Sequence, residues 1–99
     1  MRTQLRITYA GHSYLKIELG TDYATYYLRK FIEEKRLLIQ DISIEKSDDS
    51  VIDIHGTCHE DKENAVLGHF SIAFKVVTDH DVENLNCLEE FLLGRLGEL

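Results

Sequence analysis

The chain has 99 residues, 43% of them hydrophobic and 29% charged, a balance that fits one globular domain with its own core and excludes wholesale disorder. No apolar run reaches the roughly 18 residues of a membrane span, and the start, Met1-Arg2-Thr3-Gln4, holds no signal-like stretch, so a cytoplasmic protein is expected. The net charge of −7 is unevenly spread: residues 1–36 set seven cations against four acids, a net of +3, whereas residues 37–99 set four against fourteen, a net of −10, which disfavours contact with nucleic acid or anionic lipid there.

Leu5, Ile7 and Tyr9 alternate with Arg6 and Thr8, and Leu15, Ile17 and Leu19 alternate with Lys16 and Glu18. Both runs carry the period-two pattern of half-buried strands, with Gly11-His12-Ser13 as the hairpin turn between them. Thr21 or Asp22 is expected to cap a helix running to about Arg36, with Ala24, Tyr27, Leu28, Phe31 and Ile32 on its buried face and Lys35-Arg36 at the end favourable to cations. Leu38, Gln40, Ile42 and Ile44 return to period two, the polar turn Ser47-Asp48-Asp49-Ser50 follows, and Ile52 and Ile54 begin the next strand. His59 to Asn64 reads as a charged loop, and Phe70, Ile72, Phe74 and Val76 as the longest strand.

A final helix is expected from near Thr78-Asp79-His80-Asp81, burying Val82, Leu85, Leu88, Leu92 and Leu96. The predicted order is β-β-α-β-β-β-α in a single α+β domain spanning residues 1–99, a mainly antiparallel sheet with two helices on one face. The N-terminal hairpin must join the larger sheet or a second subunit, because two strands alone are marginal in water.

Metal-capable side chains crowd together only in His55-Gly56-Thr57-Cys58-His59-Glu60, where His55, Cys58 and His59 are weak candidates for zinc; no second ligand pair at zinc-finger spacing follows, and no cofactor is expected. Cys58 and Cys87 read as reduced thiols in a chain without an export signal. No nucleophile sits in a recognisable catalytic setting: Cys58 and His59 are neighbours on a strand and point to opposite faces, and Ser13 beside His12 lacks a nucleophile elbow. Asp79, Asp81 and Glu83 lack the glycine and terminal glutamate of a calcium-binding loop.

Between residues 21 and 97 the order of elements resembles that of a double-stranded-RNA-binding domain. Such domains grip phosphates with cations near the start of the final helix, and here that position reads Asp79-His80-Asp81-Val82-Glu83. The resemblance is one of element order alone.

The expected function is therefore a non-enzymatic protein-binding module, an acidic inhibitor that occupies a basic nucleic-acid-binding site on a partner protein, as phage anti-defence proteins and nuclease-immunity proteins do. Its contact residues are expected to be Asp41 and Glu45 on the outer face of the third strand, Asp48, Asp49 and Asp53, and the loop acids Glu60, Asp61 and Glu63, with Tyr14, Tyr23 and Tyr26 as exposed aromatic contacts. One alternative is a self-assembling homodimer in which the N-terminal hairpin extends a neighbour's sheet. A third reading is a zinc-binding or hydrolytic protein built on His55, Cys58 and His59.

Overall fold

A computed structural model describes residues 3–17 and 20–97. The elements are β1 (Gln4–Tyr9), β2 (His12–Ile17), α1 (Thr21–Glu34), β3 (Leu37–Lys46), β4 (Val51–Glu60), β5 (Leu67–Lys75) and α2 (Asp79–Leu93). Five antiparallel strands form one sheet in the order β2-β1-β5-β4-β3, so the N-terminal hairpin joins through β1 against β5. Alternate residues of the central strands, among them Leu5, Ile7, Ile54, Ile72 and Phe74, pack with Ala24, Leu28 and Ile32 of α1 and Leu85, Leu88 and Leu92 of α2 in one buried cluster. Both helices thus cover the same face of the sheet, and among the described residues the other face carries no helix.

β2 presents the opposite face to the one its hydrophobic pattern predicts. Its turn consists of two residues, Ala10 and Gly11, with φ of 52° and 78°, the positive values a type I′ hairpin turn requires. His12 and Ser13 already belong to the strand, and the resulting register pairs Leu5 with Lys16, Ile7 with Tyr14 and Arg6 with Leu15. A one-residue difference in turn placement inverts every side chain. Tyr14 and Lys16 therefore lie on the helical side, whereas Leu15 and Ile17 remain 47% and 45% exposed on the helix-free side. Glu18 and Leu19 lie outside the described residues.

β3 changes phase part-way along. Leu37 and Ile39 enter the core in place of Leu38 and Gln40, and a bulge between Ile39 and Asp41 shifts the pairing so that Ile42 and Ile44 face the helical side beyond it. β4 runs on through His59 to Glu60, leaving a shorter loop than the sequence suggests, and β3 and β4, of 10 residues each, exceed the 9 of β5.

The helix boundaries also differ from expectation. Gly20 occupies the N-cap of α1 without a side-chain bond, and Thr21 is already helical. α1 stops at Glu34, with Arg36 in the left-handed region at φ 54°. Thr78 caps α2 in a reciprocal box with Asp81. The stripe on α2 is shorter than predicted: Val82 is 41% exposed, and Leu96 lies beyond the helix at 51%. There the chain turns back, and Leu96 forms a parallel bridge with Ile39 that covers this part of the outer edge of β3. Among the described residues, no helix is long and apolar enough to cross a membrane.

Candidate functional site

The helix-free face can be written as rows of neighbours across the sheet. One row runs Ile17, Gln4, Ala73, Asp53, Glu45; the next runs Leu15, Arg6, Ser71, His55, Ser43; the third runs Ser13, Thr8, His69, Thr57, Asp41. Small side chains at Ser71 and Ala73 on the central strand leave a depression of about 590 Å³, lined by Arg6, Thr8, His55, Thr57 and His69 among others.

The acids gather at the β3–β4 corner of this face. Glu45 and Asp53 are directly paired across the two strands, a position in which side chains lie about 5 Å apart and like charges destabilise the sheet. His55 Nε2 lies 3.7 Å from Glu45 Oε1, and the Thr57 hydroxyl donates to Asp41 Oδ2 at 3.3 Å. Lys75 stands diagonally from Asp53, opposite Val51. Asp48 and Asp49 extend the acidic corner through the exposed β3–β4 turn.

The loop acids are placed elsewhere. β4 separates the turn at Asp48-Asp49 from the loop after Glu60 by ten residues, about 30 Å of extended chain. Glu60 is committed to closing that loop: Oε1 accepts from the Val66 N–H at 3.2 Å and Oε2 pairs with Lys62 at 3.2 Å, and these two contacts hold its carboxyl below the usual range. Asp61 and Glu63 are exposed at this far end. The eight acids expected to form one surface are thus divided: Glu45 and Asp53 with the Asp48-Asp49 turn form a corner, Asp41 stands two rows further along the same face, and Glu60, Asp61 and Glu63 lie at the distal loop.

The three tyrosines take different roles. Tyr14 packs edge-on against Phe31 of α1, with ring centroids 5.6 Å apart, and is half-buried. Tyr23 and Tyr26 are 54% and 51% exposed on α1. Tyr23 stacks on Tyr27 at 6.3 Å, and the ammonium groups of Lys16 and Lys30 lie over Tyr27 and Tyr26 at 5.4 and 5.7 Å.

His55, Cys58 and His59 do not converge. Cys58 lies on the helical side, where burial pushes its thiol up to about 11. His55 is exposed on the opposite face. His59 is 1% exposed, and both its ring nitrogens face carbonyl oxygens, Nδ1 that of Glu60 at 2.9 Å and Nε2 that of Gly97 at 3.1 Å, which leaves neither directed at a metal position. No group of three or more metal-capable side chains assembles among the described residues.

A tether at the chain's C-terminal end escaped the sequence reading. Arg95 donates from Nε and a terminal guanidinium nitrogen to the Leu37 carbonyl at 3.1 and 2.8 Å, and the Ile39 and Gly97 amides complete the attachment, donating to the Arg95 and Ile39 carbonyls at 2.9 Å each. The cation standing after an acidic helix was the only sequence signal for it.

Comparison with family models, curated proteins and solved structures returned no match.

Proposed function

We propose that the chain is a protein-binding module whose acidic corner, Glu45, Asp48, Asp49 and Asp53, with Asp41 further along the same strand, docks on a basic surface of a partner that otherwise holds nucleic acid. The observation that carries this reading is the direct pairing of Glu45 with Asp53. Two carboxylates opposite one another on adjacent strands disfavour folding, a penalty that His55 beside Glu45 and Lys75 diagonal to Asp53 reduce. Cations from a partner relieve the remaining repulsion and gain attraction from the same groups, so the pair gains more from a complex than a lone surface carboxylate does. The helix-free face beside it leaves the corner sterically open, and the charge steers encounter and fixes orientation.

The test measures stability and binding in the same variants. Glu45→Lys and Asp53→Lys should each raise the melting temperature of the isolated protein. Their combination should lose, by well over tenfold, a partner captured by the wild-type chain, and that partner should be displaced from the wild-type chain by duplex DNA or RNA. A captured protein that tolerates both the reversal and excess nucleic acid would overturn the reading.

A further inference from the structure

We infer that two copies of this chain associate through β2, edge to edge and antiparallel about a two-fold axis at Leu15, making one ten-stranded sheet. Among the described residues, β2 pairs only with β1, and its other side is open. Nothing on the strand protects that edge in the usual ways: it is six residues long, regular in register, and contains no proline. Its one cation, Lys16, is turned to the helical side over Tyr27.

The hairpin turn determines which backbone groups are free. The two-residue turn closes with Tyr9 and His12 as a hydrogen-bonded pair, and strict alternation then directs the N–H and C=O groups of Tyr14 and Lys16 toward β1. Those of Ser13, Leu15 and Ile17 point outward. A two-fold axis at Leu15 uses all three: Leu15 pairs with the partner's Leu15, and Ser13 with the partner's Ile17. On the helix-free face this buries the leucines that the turn leaves in water. On the helical face Tyr14 meets the partner's Lys16 at a closely spaced position, an ammonium beside an aromatic ring.

The rest of the molecule agrees with this occupant. α1 lies along the same edge, with Phe31 over Tyr14 and Tyr27 beside Lys16. Its flank away from α2 carries Tyr23, Tyr27, Lys30 and Glu34, the last two 3.8 Å apart as an ion pair, and this flank would line the seam between the two copies. The far edge of the sheet cannot substitute: Leu96 covers β3 at Ile39, and the remainder carries the bulge and the exposed charges Asp41, Glu45 and Lys46. Pairing of β2 with β2 is isologous and closes the assembly at two copies, whereas pairing of β2 with β3 would not.

Sedimentation of the full chain across a dilution series should give twice the 11.5 kDa mass at high concentration, falling toward one on dilution. Leu15→Lys and Leu15→Pro, both at an exposed edge position, should remain monomeric with unchanged circular dichroism. In a Cys87→Ser background Leu15→Cys should cross-link under mild oxidation, because paired α-carbons there stand about 5.5 Å apart. Ser13→Cys should not, since its partner is Ile17. A monomer at every concentration, a dimer that survives Leu15→Lys, or equal cross-linking at both positions would overturn the inference.

Discussion

Gly56 faces Phe70 across the β4–β5 ladder, and the Phe70 ring occupies the volume that a side chain on Gly56 would fill. A Cβ there would sit against the Asp41 carbonyl oxygen and 2.8 Å from Phe70 Cζ. The missing side chain admits both the core ring and the bulge of β3 that turns Asp41 and Glu45 outward.

Gly56→Ala should accordingly destabilise the protein by about 2–3 kcal/mol, the upper range for overpacking, because one of the two neighbours is backbone and cannot rotate away. Denaturant titration gives the value. A loss below about 0.5 kcal/mol, the range of an ordinary surface change, would show that the bulge yields.

Ala10 holds a left-handed conformation at φ 52° in a turn that favours Asn-Gly. Ala10→Asn should stabilise the hairpin by about 0.5–1 kcal/mol, the strain of a left-handed residue with a Cβ being about 1–2 kcal/mol. The gain should appear as slower amide exchange along β1 and β2, with no change in α2.

Asp22 in the first turn of α1 accepts hydrogen bonds from Asn84 and from His80 of α2, His80 Nε2 lying 2.7 Å from its nearer oxygen. These bonds lower the Asp22 carboxyl and raise the His80 imidazole from their ordinary values of 3.8 and 6.5. A raised histidine stabilises fully below its unfolded value and loses that contribution as pH rises through its folded one. A lowered carboxylate stabilises above its unfolded value and loses it as pH falls through its folded one. The link should therefore be strongest between about pH 4 and 6.5. His80→Gln should flatten the decline in melting temperature on the alkaline side of that window, and an unchanged profile would remove the pair as its source.

Removing the His59 ring takes away the donor that faces the Glu60 and Gly97 carbonyls and opens a void beside Leu38. His59→Ala should cost about 2–4 kcal/mol and speed amide exchange at Ile39 and Gly97. His59→Gln, which keeps a donor, should lose less.

The order of elements was legible because each buried strand or helix repeats its apolar residues at its own period. The departures arise where the chain breaks period. Reading Leu38, Gln40, Ile42 and Ile44 as one series misses the bulge, since period counting contains no provision for an extra residue, and the clue lay in a glycine fourteen residues after Ile42. Asp41 and Glu45 were nonetheless placed on the correct face because both follow the bulge. Their grouping with Asp53 depends on cross-strand register, and the removal of Glu60, Asp61 and Glu63 to the far end follows from the length of β4. Tyr14 and Leu15 exchanged faces because the turn begins at Ala10.

The two-residue turn also acts as a gauge on the surface of the whole molecule. Had the loop absorbed His12 as a third residue, Ile7 would pair with Leu15 in place of Tyr14, both aliphatic side chains of β2 would enter the core, and the outer strand would be polar and inert. The strained Ala10 is thus the local expense of an oily rim, and loop length at one hairpin decides whether Leu15 and Ile17 face the core or the solvent.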